Sequence, residues 1–528
     1  MVKSNKLVTD IPLIFSDIAD GSTICTSGFV SAGVPNFLLT LFEDFYASHG
    51  HPKDLTLVFA AGQGDGKSEG LNHLGRKGCL RRVVGGHYGL CPQIGKLVFS
   101  GDINAYCLPQ GVISNSYRAL ARSEPFVLSR TGLHTFVDPR IDGGKINGHD
   151  GEDLVHLIKI DDEEYLKYHI PRIDVALLRG TVADVNGNVS PCEDCVNADV
   201  LVIAQAAKAN GGKVIVEVKR IVDHLYNDEG ILPINVHIPG ILVDHLVLIP
   251  EEHQFHTFKT KFNPAFIGMP SNSSEDSGVQ YHPSLLRGLV GARGSREIQN
   301  LGLNNPVVNI GIGMPEDVAF YCEHHGVDLY NTVEVGPAGG IPQSAQDFGC
   351  MVNPQVIMAQ HQKFDMYHSG TFLDAAVLGL AECDQFGNLN VSKFGCKLSG
   401  CGGFIDISQN CPKIVFVGTF TASGLAVSLK DGKLVIEKEG KFKKFVKNVQ
   451  HVTFSSVDAT NKKQSVKYIT ERATFELVDG VFMLTSVAPG VDIQTHVLDQ
   501  MEFEPKMPDG GVMVDESYFD LLDLKYFE

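Results

Sequence analysis

The sequence has no uninterrupted apolar run of about 18 residues, so it offers no helix able to cross a bilayer. Its first residues, Met-Val-Lys-Ser-Asn-Lys-Leu, lack the apolar core of a secretory signal, which predicts an intracellular, cytoplasmic protein. Positive charge is scarce: 44 Lys and Arg stand against 62 Asp and Glu, a formal net charge of −18. That balance speaks against nucleic acid or an anionic membrane as the main partner, because either needs a basic face. No long low-complexity tract is present, and 43% hydrophobic with 20% charged residues describes a folded α/β protein. The 12 cysteines are scattered, with one close pair, Cys192 and Cys195. A zinc site would want a second such pair, and the spacing of Cys396 and Cys401 is wrong for one, so reduced structural thiols and no metal are expected.

What is present is length and repetition. A chain of 528 residues exceeds one core and predicts at least two large domains. Near the N-terminus, Gly21 to Pro35 reads as a strand and glycine turn. A helix starts at Pro35 with Phe37, Leu38, Leu41, Phe42 and Phe45 at helical spacing, and Leu55 to Gly62 is the next strand. The unit recurs: Val307 to Pro315 is a strand and turn, Glu316 and Asp317 open a helix that Gly326 closes, and Thr332 to Val335 is the following strand. A second repeat has a constant offset, Asp174 to Asn188 against Asp374 to Asn388, so that Asp184, Gly187 and Asn188 correspond to Asp384, Gly387 and Asn388. These repeats predict two homologous open α/β domains, residues 1–265 and 291–528, joined by a linker at 266–290 where Gly, Pro, Ser and acidic residues cluster.

Glu334 is the carboxylate that stands out. Thr332, Val333 and Val335 favour a strand, and Gly336, Pro337, Gly339 and Gly340 end it, which places Glu334 at a strand's carboxyl end, where open α/β sheets bind ligands. Overlaying the repeats by their glycines pairs Gly62 with Gly336 and puts Ala60 where Glu334 stands. The fold therefore does not demand the acid.

Glu334-Val-Gly-Pro-Ala-Gly-Gly, Gly311-Ile-Gly-Met-Pro, Ala381-Glu-Cys-Asp-Gln-Phe-Gly-Asn and Gly400-Cys-Gly-Gly-Phe-Ile-Asp resemble the family I coenzyme A transferases over nearly the whole chain. Thr135-Phe-Val-Asp-Pro-Arg140, Arg179-Gly-Thr-Val-Ala-Asp184 and Ile238-Pro-Gly-Ile-Leu-Val-Asp244 resemble its single-chain acetate or propionate branch, related to the 3-oxoacid transferases. The resemblance implies that Glu334 is a nucleophile forming a glutamyl-CoA thioester, with acyl-CoA and short-chain acids as substrates and no cofactor beyond coenzyme A. It also implies a homodimer or homotetramer. One thioester replaces another, so the exchange needs no ATP, metal or redox group.

The expected oxyanion donors are Gly402 and Gly403, with Gly33 as a weaker one from the other half, which places the site between the two halves. Gly402 is also implied in CoA binding, and Gly311, Gly313 and Met314 are implied near the CoA arm. Their turn is a poor dinucleotide fingerprint, because Glu316 stands where the third glycine should be. Lys393, Lys397 and Lys413 could meet CoA phosphates, although a solvated surface role suits any one lysine better. Family analogy puts Gln110 and His87 near the acyl pocket. The sequence departs from the family pattern at His134, Gln343-Ser-Ala-Gln346 and His368-Ser-Gly-Thr371, which bears on acyl preference. The alternatives are an acyl-CoA hydrolase on the same fold and a metabolite-sensing protein; the lack of a helix-turn-helix with a basic face opposes the latter.

Overall fold

The computed structural model describes residues 6–8, 11–148, 151–269 and 283–522. Most of the expected linker therefore lies outside the described residues. The chain forms two compact units: Met1–Ser271 with Glu334–Asp365 and Phe394–Asp406, and Asn272–Val333 with Met366–Lys393 and Ile407–Glu528. This partition is discontinuous, unlike the single division expected from the sequence. The turn carrying Glu334 and the Gly402 segment group with the N-terminal half.

In the first unit the main parallel sheet is built from β1 (Thr23–Thr26), β2 (Leu55–Phe59), β3 (Leu80–Gly85), β4 (Asn104–Cys107), β5 (Val175–Asp184), β6 (Lys213–Val222) and β7 (His245–Leu248). They pair in the order β7-β6-β5-β1-β2-β3-β4, all parallel. All ten residues of β5 are buried, as befits a central parallel strand covered on both faces. The helix expected from Pro35 runs Asn36–His49 (α1), with Leu38, Leu39, Phe42 and Phe45 buried and Phe37 and Leu41 packed partly against the same core.

In the second unit, β8 (Val307–Ile310), β9 (Tyr330–Thr332), β10 (Ala375–Gly379), β11 (Lys413–Val417) and β12 (Ser465–Ile469) follow the order β9-β8-β10-β11-β12, again parallel. Two antiparallel strands, Ala473–Val478 and Val481–Val487, extend that edge. The helix between β8 and β9 is Met314–His324. Strand β9 ends at Thr332, short of the expected Val335, because the chain turns at Glu334 and Val335.

The internal repeat reaches single hydrogen bonds. Asp174 accepts from the Thr23 N–H and Asp374 from the Val307 N–H, each at 2.8 Å. Asp184 accepts from the Asn188 backbone at 3.0 Å and side chain at 2.9 Å, and Asp384 does the same with Asn388 at 3.0 and 3.1 Å. In both copies a short carboxylate thus ties the hairpin after the central strand, an Asx-type closure that a larger side chain could not make.

Glu217 on β6 takes the place of a cap on α1, accepting from the Leu38 N–H at 2.8 Å. Burial raises its carboxyl to about 7, opposed by the charge of Arg179. The folded-state value lies above the unfolded one, so this group's stabilisation is full below pH 4.5 and is lost as pH rises through about 7. A shift of that size corresponds to ~3 kcal/mol at most. Glu217→Gln is therefore expected to be more stable than the parent at pH 8 and little different at pH 4.5, by thermal unfolding. A difference that stays constant over that range would refute the assignment.

Candidate active site

Strand β9 delivers Glu334. Its end is pinned within the second unit by the Tyr367 hydroxyl, which donates to Thr332 Oγ1 at 2.9 Å, and by Asn309, whose amide donates to the Thr332 carbonyl at 3.3 Å. Past Val333 the chain enters the first unit, and Glu334 is half-buried in the turn. Gly336 follows with φ +139, and a Cβ there would lie 2.0 Å from the Met358 carbonyl oxygen. Only glycine allows this approach. The Glu334 turn is thereby clamped to the segment that follows: Pro337–Ala338 pairs antiparallel with Val356–Ile357, which leads through Met358 to Gln360.

Gln360 is where separate parts of the first unit meet. Its side-chain oxygen accepts from Gln110 Nε2 at 2.9 Å, and its Nε2 donates to Asp199 Oδ2 at 3.1 Å. Gln110 opens the helix Gln110–Ala121 just beyond β4, so it too sits past the carboxyl end of a parallel strand. Gln110, Gln360 and Asp199 are all at most 2% exposed. Asp406 accepts from the Gly111 N–H at 3.1 Å and holds the same helix start.

The Gly402 turn lies against this group. Its Cα faces Gln110 Oε1 and the His87 ring, which a Cβ would meet at 3.6 and 4.0 Å. His87 is held by a bridge to Gly400, and Tyr88 and Gly89 donate to the Ser399 carbonyl at 2.7 and 3.1 Å. Burial lowers the His87 imidazole to about 4, so it is neutral at physiological pH. Cys107 and Cys401, beneath the turn, have their Sγ atoms 3.6 Å apart.

One expectation is corrected here. The Gly402 N–H donates to the Gly86 carbonyl at 2.7 Å, and its own carbonyl accepts from the Gln110 N–H at 3.0 Å. Gly402 is therefore a stitch that holds the turn in place, and its amide is already engaged. The neighbouring Gly403 amide makes no hydrogen bond among the described residues. Gly33 has φ +65 and packs against Val196 and Ala198, the residues leading to Asp199, rather than against the Gly402 turn.

Gly311, Gly313, Met314, Lys393 and Lys413 belong to the second unit. Gly311 and Gly313 flank the exposed Ile312 at the carboxyl end of β8, and Gly313, at φ +92, has open space where a Cβ would sit. Met314 begins the helix there, and Glu316 caps it by accepting from the Gly313 N–H at 3.1 Å. Lys393 is half-buried, its backbone N–H bonded to Asn390 Oδ1 at 3.2 Å. Lys413 is not a solvated surface lysine: it donates to the Glu297 carbonyl at 3.0 Å. Cys195 lies 3.3 Å from Cys350 Sγ, so its near neighbour is not Cys192.

The departures at His134 and Ala345 also gain a physical account. His134 has φ +61 and Ala345 φ +55, so both hold the left-handed conformation natural to glycine.

A family model for coenzyme A transferase matches residues 12–248. A caffeate CoA-transferase of Acetobacterium woodii is 39% identical, over 92% of each chain. The acetate CoA-transferase YdiF of Escherichia coli is 37% identical, over 95% of this chain and 93% of its own. The chain belongs to the coenzyme A transferase family. It is an enzyme of that type, and its architecture agrees: the solved acyl-CoA transferase YdiF of Escherichia coli O157:H7, a thioester complex with CoA, superposes with a TM-score of 0.88 at 36% identity, covering 98% of this chain and 96% of that one. Succinyl-CoA:3-ketoacid transferases of Mus musculus are more distant, at 27% identity. Among the described residues no helix is long and apolar enough to cross a membrane.

The sequence alone missed Asp199, Gln360 and His361, and it gave no role to Asp406 within its motif. An aspartate directly before the apolar helix Val200–Ala209 reads as a helix cap, and the partners of all four are distant in the chain.

Proposed function

We propose that this transferase moves CoA between a short-chain acyl-CoA (acetyl, propionyl, butyryl or acetoacetyl) and a free carboxylate such as acetate, by a ping-pong mechanism through Glu334. The observation that carries the reading is the Glu334 turn, clamped through Gly336 to the segment of Gln360, which in turn bonds Gln110. A Glu334 carboxylate oxygen attacks the thioester carbonyl, the C–S bond of the tetrahedral adduct breaks, and CoA departs as thiolate, leaving a mixed acyl-glutamyl anhydride. The thiolate then attacks the glutamyl carbonyl, the anhydride C–O bond breaks, the first acid departs, and Glu334 is left as the CoA thioester. An incoming carboxylate reverses these steps. No metal or redox group enters this chemistry.

Support comes from the relative crystallised as a thioester complex with CoA. Gly403 is the proposed donor to the oxyanion formed on the glutamyl carbonyl. Gly311, Gly313 and Met314 are proposed to border the CoA arm, where an open glycine turn at a strand end suits a flexible ligand, with Lys393 near its phosphates. Two relatives are named for different acids, caffeate and acetate, which supports keeping the acceptor acid open. Turnover is expected to require an acceptor: propionyl-CoA with acetate should yield acetyl-CoA, and removing acetate should cut CoA-ester consumption by at least ~100-fold. Consumption at equal rate without acid would mean hydrolysis and would sink the transfer reading.

A further inference from the structure

An aspartate before the first turn of a helix ordinarily accepts from that helix's own N–H groups. Asp199 does not. It stands at the N-cap of Val200–Ala209 with no side-chain cap bond, and its backbone is in the left-handed conformation at φ +64, uncommon for a residue with a Cβ. Its carboxylate turns into the interior and accepts from Ser114 Oγ, from Gln360 Nε2 at 3.1 Å, and from His361, whose N–H and Nδ1 lie at 3.0 and 2.7 Å from Oδ1. A residue that breaks a local rule in this way marks a place where the surroundings impose another task.

The chemistry of the donors says what that task is. A carboxylate accepts and cannot donate, so Gln360 must present its NH₂ to Asp199 and its carbonyl oxygen to the opposite side. Gln110 lies on that side and must in turn present its NH₂. One N–H of that group is used on Gln360; the other has no acceptor among the described residues, and the amide's oxygen is the atom that faces the turn at Gly402. We propose that Asp199 is a positioning residue: through Gln360 it fixes the orientation of the Gln110 amide, so that a Gln110 N–H faces the carbonyl or carboxylate oxygen of the substrate acyl group. The proposal rests on the Glu334 reading given above.

The test is single-turnover formation of the CoA adduct from acetyl-CoA on the full chain, followed by intact mass. In Asp199→Asn the new amide can offer its NH₂ to residue 360, which lets both glutamines flip. Adduct formation is expected to slow at least tenfold, with the acetyl-CoA concentration for half-maximal rate changed less than threefold. Gln360→Glu alone sets a second carboxylate against Asp199 and should also be slow. The double variant Asp199→Asn with Gln360→Glu restores an acceptor facing Gln110 and is expected to recover to within threefold of the parent. A merely structural Asp199 would not give that reciprocal rescue. Full activity of Asp199→Asn, or a double variant no faster than either single one, overturns the proposal. If Asp199→Asn does not fold, Gln360→Leu carries the test, since it severs the relay yet leaves Ser114 and His361 on Asp199; parental adduct formation by it overturns the proposal. The reading beneath is judged separately: an adduct that persists in Glu334→Ala, or none in the parent protein, overturns the Glu334 assignment and this proposal with it.

Discussion

Glu334→Ala is expected to lose at least ~10⁴-fold in acyl-CoA:acetate exchange, because removing a nucleophile abolishes both covalent half-reactions at once. The fold should survive: Glu334 is only half-buried, and Ala60 stands at the corresponding place in the other repeat. The decisive observation is therefore chemical. After incubation with acetyl-CoA the parent should carry a CoA-sized adduct that borohydride removes, and Glu334→Ala should carry none. An adduct on the alanine variant would move the nucleophile elsewhere. Continued consumption of acetyl-CoA by a parent protein without adduct would point to hydrolysis instead.

Gly336→Ala is expected to be almost as damaging, for a different reason. The added Cβ would sit 2.0 Å from the Met358 carbonyl oxygen on a backbone at φ +139, a conformation closed to alanine. Neither atom is the movable end of a side chain, so the turn must open. That separates the strand Pro337–Ala338 from Val356–Ile357 and shifts Glu334 relative to Gln360. We expect exchange to fall at least ~100-fold, in keeping with the cost of misplacing a reacting group by about 1 Å. Stability should fall by about 2–4 kcal/mol. Gly95→Ala is the control: it lies in the helix Pro92–Phe99 with nothing within 4 Å of the added Cβ. That change should stabilise by about 0.5–1 kcal/mol and leave exchange untouched. Equal activity in the two variants would show that the clamp on the Glu334 turn is dispensable.

Gly336 and Gly402 show what a sequence can and cannot say. Gly336 was legible as a strand terminator, because turn chemistry is local. Its reason for being glycine, the Met358 oxygen, was not. Gly402 was legible as part of a tight turn and suggested an amide pointing outward; the structure shows that amide bonded to Gly86, some three hundred positions earlier in the chain. Asp199 drew no attention in the sequence, and only the arrival of Gln360, 161 positions further along the chain, shows what its carboxylate is used for. The departures at His134 and at Gln343-Ser-Ala-Gln346 were visible as differences, but the left-handed backbone of His134 and Ala345 was not.

The sequence by itself determined the two repeats, the parallel strands with their apolar runs, the helix after Pro35, the Asp184 and Asp384 hairpins, and Glu334 just past a strand end. Each of these rests on periodicity, propensity or turn chemistry within a few residues, where neighbours in the chain are neighbours in space. Only the tertiary structure decided that residues 334–365 and 394–406 group with the N-terminal half, and that Gln110, Gln360 and Asp199 form one relay. Those contacts join residues up to 250 positions apart, and they exist because parallel sheets bring the ends of distant strands to one edge, an arrangement that leaves no spacing in the chain to read.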